Sequence, residues 1–259
     1  MDQIRHINDT LQQREETSKV PAATLGFWII KILATTLGET GGDAVTMSMN
    51  LGYLVGTLIF AFIFGLAISV QMATRRLHPF LYWAVIVATT TVGTTLADLV
   101  DRSLGIGYLG GSSLLAALLA ASLFIWYRTM GTVSIASINS QKAETFYWVT
   151  IMFSQTLGTA LGDWMADSTG LGYRGGALVF AASIAVTAAC YLWTNVSRTL
   201  LFWIAFVLTR PLGATVGDFL DKPLDHGGLA LSRYTASAVL SLLICGLIAV
   251  LPQRAGDHG

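Results

Sequence analysis

Four tryptophans on a repeating ruler constrain this chain more than any other feature. Trp28, Trp83, Trp148 and Trp203 stand 55, 65 and 55 residues apart. Ten residues after each comes a glycine (Gly38, Gly93, Gly158, Gly213), and five further on an aspartate (Asp43, Asp98, Asp163, Asp218). Nine residues beyond each aspartate lies another glycine (Gly52, Gly107, Gly172, Gly227), followed by Tyr53, Tyr108 and Tyr173 in three copies and by Gly228 in the fourth. A period held through a whole chain means one supersecondary unit used repeatedly, each copy burying its apolar face against its neighbours. The copies pair as two plus two, with ten extra residues at the middle junction. We divide the chain into an arm (1–20), repeat 1 (21–76), repeat 2 (77–130), a central linker (131–144), repeat 3 (145–197), repeat 4 (198–252) and a tail (253–259).

Composition says what the unit is made of. Hydrophobic residues are 54% of the 259 and charged residues only 12%, with a mean hydropathy of +0.63, which excludes an ordinary soluble domain. A helix needs about 20 mostly apolar residues to cross a bilayer. Each repeat supplies two such runs, over 24–43 and 53–72, 80–98 and 110–127, 146–163 and 176–194, and 200–218 and 232–251. The alternating ten-residue segments of a membrane β-barrel do not occur. The expected fold is an all-α integral membrane protein with eight transmembrane helices from four parallel two-helix repeats.

Lysine and arginine set the expected orientation. With eight spans, both termini and the loops between repeats share one side, which carries Arg5, Arg14, Lys19, Arg75, Arg76, Arg128, Lys142, Arg198 and Arg254. The other side carries Arg102, Arg174, Lys222 and Arg233. The excess favours cytoplasmic termini in a bacterial inner membrane. The polar opening "MDQIRHINDTLQQREETSK" has no small-residue cleavage site and reads as a cytosolic arm rather than a signal peptide. Because each repeat spans twice, all four point the same way, unlike the inverted repeats of many transporters.

The first helix of each repeat carries the polar residues. Seven positions after the tryptophans come Thr35, Thr90, Gln155 and Arg210, with Thr36, Thr91 and Thr156 beside three of them. They make a belt near mid-membrane, with one full positive charge. In repeat 1 the helical spacing i, i+3, i+4, i+7 aligns Thr36, Glu39, Thr40 and Asp43. If such stripes converge, eight carboxylates ring one axis: Glu39, Asp43, Asp98, Asp101, Asp163, Asp167, Asp218 and Asp221. Facing lipid they would be costly, so they should face the bundle interior or water. Arg210 and Glu39 differ by about 6 Å in depth, within reach of a guanidinium if repeats 1 and 4 adjoin.

Plainer readings stand beside these. The repeated aspartates also suit caps of the short turn before the second helix, and the small residues around them suit close helix packing. For Arg210 and Glu39, which lie deeper, the plainer alternative to a functional role is an ion pair that only locks the helices. Lys31 is placed to reach back toward the cytoplasm. Cys190 and Cys245 sit alone in apolar runs as packing residues, and the four histidines fall in tails and loops. No nucleotide loop, HExxH or Cys/His cluster occurs and formal net charge is zero, so neither a nucleic-acid partner nor a cofactor is expected.

"FWIIKILATTLGET" in repeat 1 and "FWIAFVLTRPLGA" in repeat 4 are similar to characteristic stretches of a family of bacterial inner-membrane proteins defined by a tandem repeat of unknown function. The resemblance runs from about residue 20 to the end. It implies the four-repeat membrane architecture and brings no activity or catalytic residue. Repeat 4 departs from the pattern at "DKPLDHGG", so a differently shaped turn is expected there.

The functional expectation is a transporter, not an enzyme, since no nucleophile–base pair is identifiable. A divalent cation of the Mn²⁺ or Mg²⁺ class fits best, because carboxylates, hydroxyls and carbonyls are the hard oxygen ligands such ions select. Exchange for protons is compatible with clustered acids. The metal enters as substrate, with the eight carboxylates as ligands. Thr35, Thr36, Glu39, Thr40, Thr90, Thr91, Gln155, Thr156 and Arg210 would line the path. Two alternatives remain: a small organic anion or zwitterion held by Arg210 with Glu39 as proton acceptor, and a scaffold that transports nothing. Partners are then the bilayer and a small substrate, with self-association left open.

Overall fold

The computed structural model describes residues 18–256. Eight long helices occur among them: α1 (Leu25–Asp43), α2 (Gly52–Ala73), α3 (Pro79–Asp98), α4 (Gly107–Met130), α5 (Gln141–Asp163), α6 (Gly172–Trp193), α7 (Arg198–Asp221) and α8 (Arg233–Val250). Most of the arm, with Arg5 and Arg14, lies outside the described residues.

Local chemistry explains the starts. The side chains of Thr24, Ser140, Ser197 and Ser232 accept hydrogen bonds from Phe27, Ala143, Leu200 and Thr235 N–H groups, capping α1, α5, α7 and α8. Pro79 occupies the first turn of α3, where its missing N–H is harmless. The glycines that open α2, α4 and α6 have φ of +74°, +75° and +63°, a left-handed conformation that costs any other L-residue about 1–2 kcal/mol. This is why the ruler carries a glycine there. In repeat 4 the corresponding Gly227 (φ +80°) closes a short 3₁₀ turn, Leu224–His226, so the turn is indeed rebuilt.

The first helices form a closed ring. α1 packs on α3, α3 on α5, α5 on α7, and α7 back on α1. The second helices stand outside, each against the first helix of the following repeat: α2 on α3, α4 on α5, α6 on α7 and α8 on α1. No repeat therefore buries itself, and the last covers the first. Of their most apolar stretches, 72% is buried in α3 and α7, against 11% in α2 and 28% in α4. Leu54, Leu58, Phe62, Leu66 and Val70 leave an apolar stripe exposed along α2, as a lipid-facing helix requires.

Six of the eight helices are long and apolar enough to cross a membrane. The exceptions are α1, which carries Lys31, Glu39 and Asp43, and α5, which opens with Gln141, Lys142 and Glu144 and holds Gln155.

The glycines ten positions after each tryptophan make the ring tight. A methyl group on Gly38 would collide with Thr90, on Gly158 with Arg210 and on Gly213 with Thr35; on Gly93 it would lie 3.1 Å from Gln155. Each glycine thus receives the seventh-position residue of the next repeat, around the full circle. One turn on, Gly42, Gly162 and Gly217 receive Thr94 (3.1 Å), Ala214 (3.1 Å) and Glu39 (2.7 Å) in the same way. The small residues are packing residues, as the plainer reading held, and they align the layers that follow.

The tryptophan end is shut. Phe27, Tyr82, Tyr147 and Phe202, one position before each tryptophan, form a buried aromatic layer in which the two tyrosine hydroxyls lie 2.6 Å apart. Trp203 Nε1 donates to Val133 O (2.9 Å) and Trp83 Nε1 to Gln253 Oε1 (3.1 Å), tying the linker and the C-terminal segment to the ring. The N- and C-terminal segments pair beneath it, with Ala22 N–H donating to Arg254 O (2.8 Å) and Gly256 N–H to Val20 O (2.9 Å).

Candidate polar and acidic site

Between the aromatic layer and the aspartates, side chains of α1, α3, α5 and α7 meet in successive layers spaced four residues apart. Three positions after the tryptophans stand Lys31, Ile86, Ile151 and Phe206, all fully buried. Lys31 does not reach back to the cytoplasm as its long stem suggested. Its Nζ lies 4.2 Å from the Phe206 ring centroid, a cation–π contact, and makes no hydrogen bond. The close ring leaves the stem no outward route.

The seventh-position layer is Thr35, Thr90, Gln155 and Arg210, each fully buried. The guanidinium extends one turn toward the aspartates and enters the eleventh-position layer of the other three repeats. Its Nη2 lies 3.0 Å from Glu39 Oε2 and contacts Thr94 Oγ1 and Thr159 Oγ1. Weaker contacts of 3.4 Å reach the carbonyls of Thr35 and Thr90. The fourth member of that layer is Ala214, whose small side chain leaves room. A buried ion pair holds only with such support, because desolvation otherwise outweighs the Coulombic gain.

Thr94 and Thr159 join this pocket although neither was among the expected path residues; Thr159 shares the repeat-3 helical stripe of Thr156 and Asp163. Thr94 and Thr159 share Glu39's count from the tryptophan, and that register was the available signal. The eighth-position hydroxyls behave differently. Thr36, Thr91 and Thr156 donate to Ile32, Val87 and Met152 carbonyls of their own helices, at 3.0, 2.8 and 3.0 Å. Thr40 lies 2.9 Å from Ser237 Oγ of α8 rather than facing the ring.

The four repeated aspartates are 1–3% exposed. Asp43, Asp98 and Asp163 end their α-helices, but the chain continues into five-residue π turns (Ala44–Ser48, Leu99–Ser103, Trp164–Ser168) and none of the three makes a capping bond. They do not cap turns. They meet cations in a two-fold pattern. Arg102 contacts Asp98 of its own repeat (2.7 Å) and Asp163 of the next (3.2 Å). Lys222, its equivalent two repeats on, contacts its own Asp218 (3.0 Å) and Asp43 of repeat 1. Burial alone would depress the Lys222 ammonium, but the carboxylates of Asp218, Asp43 and Asp221 outweigh it and hold the pKa above the ordinary lysine range. Arg233 adds contacts to Asp221 (2.7 Å) and Asp43 (3.8 Å).

The eight carboxylates therefore do not make one ring. Glu39, Asp163 and Asp218 each offer an oxygen within 4.8 Å of the others, and so do Asp43, Asp218 and Asp221. Asp98 is held by Arg102, and Asp101 lies apart against Gly111 with neither oxygen hydrogen-bonded. Asp167 stands at the rim, 38% of its side chain exposed, accepting a hydrogen bond from the Tyr108 hydroxyl (2.9 Å). Around the two triads six carboxylates (Glu39, Asp43, Asp98, Asp163, Asp218, Asp221) share four cations (Arg210, Arg102, Lys222, Arg233). Counted at formal charge, the carboxylates exceed the cations by two.

The family model described as Repeat of Unknown Function (DUF347) matches the chain four times, over residues 26–77, 81–132, 146–197 and 201–253. Each match begins two residues before a ruler tryptophan. No curated protein and no solved structure matches.

Proposed function

We propose that this chain, which belongs to the DUF347 repeat family, is a carrier of a small cation of the divalent Mn²⁺ or Mg²⁺ class. The observation that carries the reading is the oxygen triad of Glu39, Asp163 and Asp218, within 4.8 Å of one another, in a cluster whose carboxylates outnumber its cations. Two uncompensated negative charges in a buried place are expensive, and one divalent ion or two protons neutralise them. The ligands are oxygens throughout, which suits hard cations. A scaffold would need the ion pairs but not the surplus acid. The organic-anion reading asks Arg210 to receive substrate on the edge Glu39 already holds.

In this reading all eight helices span the inner membrane. α1 and α5 fall short in composition, yet they alternate with α3 and α7 in the ring, so they cross wherever those cross. Polar residues that lower their hydropathy point into the bundle and cost nothing against lipid. The excess of basic residues at the tryptophan end supports a cytoplasmic position for it. The ring is then closed inside, and the ion reaches the acids from outside.

The test is thermal unfolding of the purified protein with Mn²⁺ or Mg²⁺ titrated after chelation. Saturable stabilisation by either ion, absent with K⁺ at equal ionic strength, is the expected result. No stabilisation by any divalent ion would sink the reading.

A further inference from the structure

The acid cluster already holds a small cation at one point, the ammonium of Lys222. Its Nζ lies 3.0 Å from Asp218 Oδ1 and contacts Asp43 Oδ2. Asp43 and Asp218 belong, with Asp221, to the outer of the two oxygen triads, and Asp218 is shared with the inner one. Oδ1 of Asp43 and Oδ1 of Asp221 have no hydrogen-bond partner. Lys222 stands just past the end of α7 with extended backbone (ψ 152°), its side chain 10% exposed. Its carbonyl accepts from the Ala230 N–H (2.9 Å), and a methyl group on Gly228 would strike that carbonyl. Repeat 4 carries this glycine where the others carry tyrosine, so the rebuilt turn anchors the Lys222 backbone while the flexible four-carbon stem keeps its freedom. The equivalent Arg102 is fixed more firmly. It lies within a π turn and meets Asp98, Asp163 and Asp167 with a planar, many-donor guanidinium.

We infer that Lys222 sets the charge selectivity of the cluster: its ammonium occupies a cation seat at Asp43 and Asp218 that a divalent ion takes over and a monovalent ion does not. This role for Lys222 rests on the cation reading above. A monovalent ion of the same charge gains no Coulomb energy by replacing the ammonium, and the tether gives Lys222 a local concentration that free ions do not match. A divalent ion doubles the attraction. With the ammonium displaced, a divalent ion in the seat lowers the formal excess of negative charge from two to one, whereas a monovalent ion leaves it at two. Asp218 then passes the ion to the inner triad of Glu39, Asp163 and Asp218. The returning ammonium balances the remaining charge and closes the seat behind the ion.

The test follows the melting temperature of the full-length protein in detergent with chelator present, as Na⁺ or NH₄⁺ replaces N-methylglucamine at constant ionic strength. The wild type should not respond. Lys222→Gln empties the seat, and either small cation should then raise the melting temperature by several degrees and saturate. Adding Asp43→Asn to Lys222→Gln should remove that increment. No response in Lys222→Gln, or an equal response in the wild type, would overturn the proposal. A second arm titrates Mn²⁺, without chelator, into Lys222→Arg, whose guanidinium should not yield the seat. Binding roughly tenfold weaker than in the wild type is expected, and equal binding overturns the proposal. This arm decides if Lys222→Gln does not fold. Absence of any Mn²⁺ response in the wild type would sink the cation reading and the selectivity role with it. A Mn²⁺ response in the wild type with no Na⁺ response in Lys222→Gln would sink the proposal alone.

Discussion

Arg210 of the last repeat reaches Glu39 of the first, with Nη2 3.0 Å from Oε2, and so closes the ring of four first helices with a buried ion pair. Neither side chain exceeds 3% exposure. Removing one partner strands the other charge, which costs about 3–5 kcal/mol. Arg210→Met and Glu39→Gln should each destabilise by roughly that much. The double variant should recover most of it, as measured in a double-mutant cycle by denaturation in detergent. Additive losses would mean the two groups do not depend on each other.

The glycines offer a sharper contrast. Gly38→Ala, Gly158→Ala and Gly213→Ala put a methyl group into the neighbouring helix and should each cost about 1–3 kcal/mol. Gly65 and Gly246 sit in helices with nothing within 4 Å of an added methyl. Alanine there should stabilise by up to about 1 kcal/mol, through helix propensity alone. Thermal unfolding of the five variants tests the ring packing, and equal effects in both groups would contradict it.

Within the acid cluster, position should matter more than residue type. Asp163→Asn and Asp218→Asn alter the triad and should abolish divalent-dependent stabilisation, while Asp167→Asn at the rim should keep it. Titration of each variant with Mn²⁺ reads the difference. Loss in all three would mean a general acidity effect rather than a site.

Lys222→Gln withdraws the cation that bridges Asp43 and Asp218. The metal-free protein should be destabilised, and Mn²⁺ should bind at least tenfold more tightly because the carboxylates lose their resident counterion. Calorimetric titration checks this, and weaker binding would show that Lys222 positions the ligands rather than competing with the ion.

Orientation is checked in cells. Reporter fusions after Arg76, Lys142 and Arg198 should read cytoplasmic, and one after Gly110 periplasmic. A mixed result among the first three would contradict parallel repeats.

The sequence by itself determined the repeat and the eight helices, because these depend on local chemistry. Two starts lie ahead of their apolar runs: α5 begins at Gln141, five residues early and inside the segment read as the central linker, and α6 at Gly172, four early. A glycine that must adopt φ near +70° announces a turn, an apolar run announces a helix, and small residues beside each aspartate announce close packing. It also determined that Arg210 and Glu39 differ by about 6 Å in depth, a gap a guanidinium can bridge, since helical rise converts residue count into length. Partnership had to await the tertiary structure. That α2 covers α3 rather than its own α1, that Thr94 faces the axis while Thr36 bonds its own helix, and that Lys31 is trapped against Phe206 all depend on how each helix is rotated. Adjacent residues on a helix point about 100° apart. Whether position seven or eight faces the ring is therefore settled by the close packing of four glycines against four neighbours, which no single repeat contains. The pairing of the aspartates with Arg102 and Lys222 follows the same rule. Those two cations occur in alternate repeats; the packing of α3 on α5 carries Arg102 to Asp163, and only closure of the ring carries Lys222 to Asp43.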